Sequence, residues 1–142
     1  MNSRDFRLAY FETIYNTAAY RFRLSNTDQG LGLYNGRRFS VLTAANPFSQ
    51  SFSDLENATR NQNLKLEIEK LGFEHDWSAG EQADQSWREE GFVIFDAPLA
   101  VILELGRKFE QNAILHGVDS KVALVWCDNE ELEWFFARLE ID

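Results

Sequence analysis

Twenty of the 142 residues are aromatic, and this content restricts the folds open to the chain. Twelve phenylalanines, four tyrosines and four tryptophans are enough for a hydrophobic core, which excludes a disordered protein. No apolar run approaches the ~20 residues of a membrane span, and the N-terminus lacks the layout of a signal peptide. We therefore expect one soluble domain over residues 1–142, located in the cytoplasm.

The acidic and basic residues are distributed unevenly. The formal net charge is −9, and residues 61–142 contribute −11 while residues 1–60 contribute +2. A negative field repels phosphate backbones, so we expect no direct nucleic-acid partner and no membrane partner. The single cysteine, Cys127, excludes an internal disulfide or a cysteine-based zinc site, and no sequence motif implies a metal or cofactor.

Hydrophobic periodicity predicts a mixture of helices and strands. Predicted helices cover residues 4–16, a segment after the capping-box sequence at Ser53–Glu56, a segment after Asp96, and the C-terminus. Predicted strands cover residues 20–24, 39–44, 92–95, 113–116 and 122–126, the last two forming a hairpin, while residues 75–85 are interpreted as an exposed loop. This pattern favours an α+β fold, a two-layer sandwich in which a mixed or antiparallel sheet packs with three to four helices.

The C-terminal segment places Leu132, Phe135, Phe136 and Leu139 at helical spacing. We expect a second layer of the same domain to cover this helix. The alternative is a homodimer or partner contact through Trp134, Phe135 and Phe136, since aromatic side chains often anchor such contacts.

Polar side chains collect at the ends of the predicted elements. Structural caps and loop ties would explain them, and the alternative is a polar pocket in which Arg60 binds an anion, Trp87 forms a wall and Glu89 acts as an acid or base. The candidate catalytic residues are Glu89 and Arg60. The candidate ligand-binding residues are Thr43, Asn46, Asn57, Asn61, Trp87, Gln111 and Asn112.

Four short motifs carry a resemblance to a known group of bacterial proteins. They are residues 42–47 (LTAANP), 57–61 (NATRN), 87–93 (WREEGFV) and 109–113 (FEQNA). In this order the chain resembles the domain-of-unknown-function 3293 family from about residue 8 to residue 126, with a helical extension over about residues 129–142. The family has no settled activity, but its largely polar signature positions imply that the pocket is as well supported as a purely structural role.

Three functional hypotheses follow from the sequence. The first is a small binding or regulatory domain that recognises a small polar or anionic ligand, or a peptide, in the polar pocket. The second is a hydrolase of a phosphate-bearing or amide substrate, in which Glu89 activates water and Arg60 stabilises negative charge. The third is an acidic inhibitor or decoy of a nucleic-acid-handling protein, which would use the second half of the chain.

Overall fold

Eight antiparallel strands form one closed barrel in the computed structural model, which describes residues 6–30 and 32–140. The strands are β1 (Ile14–Thr17), β2 (Arg21–Ser25), β3 (Phe39–Leu42), β4 (His75–Glu81), β5 (Arg88–Phe95), β6 (Ala113–Val118), β7 (Lys121–Trp126) and β8 (Leu132–Leu139). Their order around the barrel is β1-β2-β8-β7-β6-β3-β5-β4, and β4 pairs back with β1. The helices in the described ranges are α1 (Arg7–Glu12), α2 (Asp54–Leu71) and α3 (Leu99–Lys108).

The predicted two-layer α+β sandwich is therefore wrong. A sandwich needs an open sheet with two edges, whereas here the sheet closes on itself and leaves no edge unpaired. Closure depends on β4, which joins β1 to β5, and on β8, which joins β2 to β7. The sequence analysis assigned these two segments to a loop and a helix.

The predicted C-terminal helix is also wrong for the described residues, and residues 141–142 lie outside them. Phe135 and Ala137 are buried and alternate with Trp134 and Phe136, as in a strand. Pairing with both neighbouring strands outweighs the helical spacing of the apolar residues, because it satisfies the backbone groups of β2 and β7. Of the three aromatic residues predicted to contact a partner, Phe135 lies in the core and is 1% exposed, while Trp134 is 47% exposed.

Several local predictions are confirmed. Ser53 Oγ accepts from the Glu56 backbone N–H at 3.1 Å while Glu56 Oε1 accepts from the Ser53 backbone N–H at 3.2 Å, which forms the capping box of α2. Gly72 ends α2 in the left-handed conformation at φ +80°. The β6–β7 hairpin is present, whereas the predicted helix over residues 4–16 ends at Glu12 and is followed by β1.

The hydrophobic core has two parts because strand residues alternate between the inside and the outside of the barrel. Inward-facing side chains fill the barrel and include Phe22, Leu24, Phe39, Phe95 and Phe135. Outward-facing side chains of β3, β5, β6 and β7 pack with α2 and α3 in a second cluster, which includes Leu42, Ile94, Val125, Leu64 and Ile102. Helices α2 and α3 therefore cover one side of the barrel. Within the described ranges, each helix is too short or too polar to cross a lipid bilayer.

Candidate functional site

The barrel is packed at one end and hollow at the other. At the packed end, Phe39 is opposite Phe95, and Tyr34 lies against both rings at 5.3 and 4.9 Å between centroids. At the other end an inner chamber of about 60 Å³ continues into a wider mouth of about 350 Å³. Both are lined by Tyr10, Thr13, Trp87, Glu89 and Gln111.

Several of the residues that line the chamber are small and leave space beside the larger Tyr15 and Trp87. Ser78 and Gly80 of β4, Gly91 of β5 and Ala113 of β6 line it. Gly91 is also required by close packing, since a Cβ atom there would lie 2.5 Å from the Leu42 carbonyl oxygen. The sequence thus leaves space where the other end of the barrel has phenylalanines.

Glu89 is the acidic residue that lines both the chamber and the mouth. It precedes Glu90 on β5, and the strand alternation turns Glu89 inward while Glu90 is exposed on the outside. Glu89 Oε2 accepts a hydrogen bond of 2.7 Å from Asn46 Nδ2. Burial raises the pKa of Glu89 to about 7, and the Asn46 hydrogen bond opposes this rise in part. The carboxyl group therefore exchanges its proton near neutral pH.

The side chain of Asn46 is fixed by a network at the start of α2. Asn46 has a left-handed backbone, at φ +47°, and its backbone N–H donates to Asn57 Oδ1 at 2.8 Å. Its own Oδ1 accepts from the Phe52 backbone N–H and from Asn57 Nδ2, both at 2.9 Å. Because a backbone N–H can only donate, this contact identifies the Asn46 oxygen, and Nδ2 must be the atom that faces Glu89.

Thr43 and Asn61 brace the end of β3 against β5. Asn61 Oδ1 accepts from the Ala44 backbone N–H at 2.9 Å, and its Nδ2 donates to the Glu90 carbonyl at 3.0 Å. Thr43 Oγ1 donates to the same carbonyl and accepts from the Ala45 backbone N–H at 3.0 Å. Thr43 also lines the inner chamber. These contacts are the loop ties that the sequence analysis considered as the alternative to a pocket.

Arg60 and Glu89 form no ion pair in the described part of the chain and have different partners. Arg60 Nε donates to the Ala44 carbonyl and its NH2 group to the Phe109 carbonyl, both at 2.6 Å. It borders a surface groove that also contains Lys70 and Lys108, and this groove does not include Glu89. The two candidate catalytic residues therefore do not share a cavity.

The remaining predicted residues lie at or near the mouth. Trp87 lines the chamber and the mouth. Gln111 is buried beside them, and its Nε2 donates to the carbonyls of Ala45 and Phe109 at 3.0 and 3.1 Å. Asn112 Nδ2 donates to Ser49 Oγ at 2.9 Å. Ser49 itself lines the mouth.

The sequence analysis missed the contribution of α1 and β1. Tyr10 and Thr13 line the chamber and the mouth, and Tyr15 lines the chamber, with its hydroxyl donating to the Tyr10 carbonyl at 3.1 Å. Burial raises the pKa of both tyrosines well above the usual value, so they stay neutral at physiological pH. Their spacing is that of ordinary core residues, and no signal in the sequence connects them with Glu89.

No group of three or more His, Cys, Asp or Glu side chains in residues 6–30 and 32–140 is arranged to hold a metal ion.

Comparison with known proteins identifies a family but no activity. A family model described as "Protein of unknown function (DUF3293)" matches residues 42–114, which is just over half of the chain. No curated protein and no solved structure matches the chain. The matched residues include Glu89 and all the other residues that the sequence analysis proposed for the site. The chain belongs to this family of proteins of unknown function.

Proposed function

We propose that this protein binds a small molecule in the open end of the barrel, with the Glu89 carboxyl as the polar anchor. One observation carries the proposal: Glu89 points inward beside a cavity, and its hydrogen-bond donor among the described residues is the neutral amide of Asn46. Burial of a carboxyl group without a charged partner costs free energy. Groups whose pKa is shifted in this way are concentrated in functional clefts.

The dimensions and the lining of the cavity suit a small ligand. The mouth, at about 350 Å³, is at the lower end of the ~300–1,000 Å³ found for ligand pockets. Tyr10 and Trp87 supply aromatic surface, while Glu89 and Gln111 supply polar groups. The inner chamber has room for a group of only a few atoms.

The other hypotheses have less support. The hydrolase hypothesis needs Arg60 beside Glu89, and Arg60 is instead held by two main-chain carbonyls in a separate groove. An acidic decoy, a partner contact through Trp134 and a cytoplasmic location stay predictions. We assign the protein a binding function and no reaction.

A fragment screen by ¹H–¹⁵N NMR tests the proposal. The indole N–H of Trp87 reports on the cavity, and that of Trp77, which lies on the outside of the barrel with its Nε1 against Glu90, is the reference signal. We expect hits to shift the Trp87 signal and not the Trp77 signal. Hits that map only outside the cavity would contradict a binding function at this site.

Two variants make this screen specific. In Gly80→Ala the new methyl group would lie 3.2 Å from Thr13 Cγ2 and 3.8 Å from the Trp87 ring, so it should fill part of the chamber and weaken the hits. Glu90→Gln changes the adjacent, outward-facing carboxylate and should leave the affinity of the hits unchanged. Equal binding by wild type and Gly80→Ala would place the hits elsewhere.

A further inference from the structure

We propose that the ligand is a small organic cation, such as a primary amine with a short aromatic or aliphatic body, whose charged group contacts Glu89 Oε1. This inference rests on the proposed binding function and specifies its ligand class. It follows from which polar atoms around the cavity already form hydrogen bonds or ion pairs within the protein.

Glu89 differs from the other partly buried carboxylates because no cation accompanies it. Glu81 pairs with Arg88 at 3.1 Å, and Glu133 pairs with Arg7 at 2.6 Å. Within residues 6–30 and 32–140, no lysine, arginine or histidine forms an ion pair with Glu89, and its partner is the neutral Asn46 amide. A buried carboxylate without a counter-ion is unfavourable, and a bound cation would supply the missing charge.

Four hydrogen-bond donors at the cavity are directed into the protein. Asn46 Nδ2 donates to Glu89 Oε2, and Gln111 Nε2 donates to two carbonyls. The hydroxyl of Thr13 donates to the Ala9 carbonyl at 2.6 Å, and that of Thr43 to the Glu90 carbonyl. Glu89 Oε1 has no hydrogen-bond partner among the described residues, and when the carboxyl group is ionised this oxygen is an acceptor at the cavity. Donors that line the mouth, such as the Trp87 indole N–H and the Gln82 side-chain amide, are available to other parts of a ligand, whereas an ammonium group brings its own donors to Glu89.

The charges surrounding Glu89 also favour a cation. Within residues 6–30 and 32–140, the titratable groups near it inside the barrel are Tyr10 of α1 and Tyr15 of β1, and both are neutral at physiological pH. The other polar side chains in these ranges that line the cavity from β3, β4 and the loops carry no charge. The formal net charge of −9 adds to the attraction for a cation. Aromatic rings at Tyr10 and Trp87 can stabilise a cation further through their π faces.

Ligand binding should then be linked to the loss of the Glu89 proton. A cation pairs with the ionised carboxylate, so affinity should rise with pH until Glu89 is fully ionised. With the pKa of Glu89 at about 7, the affinity for an amine that stays charged should fall by about thirtyfold between pH 8 and pH 5.5. The affinity of a neutral ligand should not depend on pH in this way.

The experiment compares benzylamine, benzyl alcohol and benzoate, which share a carbon skeleton and differ in head-group charge. Butylamine, butanol and butyrate repeat the comparison on a smaller skeleton. Dissociation constants are measured by NMR titration at pH 8 and pH 5.5 for wild type, Glu89→Gln and Glu90→Gln. We expect at least one amine to bind at least about tenfold more tightly than its alcohol at pH 8, and we expect Glu89→Gln but not Glu90→Gln to abolish this preference.

The outcomes separate this inference from the binding function on which it rests. If alcohols or carboxylates bind the cavity as tightly as the amines, the cation assignment is wrong and the binding function stands. If the amine preference persists in Glu89→Gln or does not change with pH, Glu89 is not the counter-ion. If neither these compounds nor the fragment library shifts the Trp87 signal, both the cation assignment and the binding function fail.

Discussion

Asn46 Nδ2 lies 2.7 Å from Glu89 Oε2 and connects the end of β3 to the inward-facing carboxyl group of β5. The amide is held in this orientation because its oxygen accepts from the Phe52 backbone N–H and from Asn57 Nδ2. Burial raises the pKa of Glu89, and the Asn46 amide, which carries no charge, lowers it only in part. This relationship explains why the pKa of Glu89 is raised despite a direct hydrogen bond.

Replacing the Asn46 amide with a carboxylate should raise the pKa of Glu89 well above its wild-type value of about 7. In Asn46→Asp the oxygen that accepts from Phe52 and Asn57 is retained, and the donor to Glu89 becomes a second acid. Two adjacent carboxyl groups cannot both ionise readily, so they should share a proton and titrate as a pair. Carbon-13 NMR of the glutamate carboxyl groups measures the effect.

Asn112→Asp is the matched control for that substitution. It introduces the same charge at a side chain that contacts Ser49 rather than Glu89. A pKa of Glu89 that moves equally in both variants would mean that long-range charge, and not the Asn46 contact, controls its protonation.

Glu89 should make the folded protein less stable as the pH rises. Its pKa in the folded state, about 7, exceeds the usual value of 4.5, so the folded state binds more protons than the unfolded state between these values. The resulting stabilisation is fully present below pH 4.5 and is lost as the pH rises through 7. Relative to wild type, Glu89→Gln should therefore gain ~3 kcal/mol of unfolding free energy between pH 4.5 and pH 8.

Urea denaturation at the two pH values measures this difference, and Glu90→Gln provides the comparison at an exposed carboxylate of the same strand. Subtracting the unfolding free energy of wild type at each pH removes the contribution of all other titrating groups. A difference between Glu89→Gln and wild type that stays constant with pH would show that Glu89 titrates normally.

The sequence predicted the elements whose residues follow the usual patterns of helix caps and hairpins. The capping box and Gly72 define α2 because these residues satisfy its terminal backbone groups without help from the rest of the fold. The β6–β7 hairpin follows from two apolar runs around a turn. The polar motifs supply several residues of the candidate site, since Asn46, Trp87, Glu89 and Gln111 lie at or near the ends of elements that meet at the mouth.

The closed sheet could not be predicted because two strands lack the pattern of a strand. In β4 the inward positions are Ser78 and Gly80, which line the cavity and leave the segment without alternating apolar residues. The feature that hides this strand is therefore the one that creates the cavity. In β8 the apolar residues have helical spacing, and only pairing with β2 and β7 determines the structure.

Substitutions in β8 distinguish the strand from the predicted helix. Phe135 is 1% exposed inside the barrel, so Phe135→Ala should cost about 3–5 kcal/mol of unfolding free energy. Trp134 is 47% exposed on the outside, and Trp134→Ala should cost less than ~1 kcal/mol. Urea denaturation of both variants measures these costs. Similar costs at the two positions would be inconsistent with the alternation of β8.

Arg60 should act as a structural residue, independent of Glu89. Its guanidinium group donates to the carbonyls of Ala44 and Phe109, and a lysine cannot reproduce this two-point contact. Arg60→Lys should therefore lower the unfolding free energy by ~1–3 kcal/mol, since at least one partly buried carbonyl loses its partner. The pKa of Glu89 and the affinity for amines should not change, because Arg60 does not border the cavity. Urea denaturation and the NMR titrations above provide both measurements, and Lys70→Ala, in the same groove as Arg60, is the control for loss of surface charge. If the unfolding free energy is unchanged and the pKa of Glu89 shifts, Arg60 instead acts together with Glu89, as the sequence analysis first predicted.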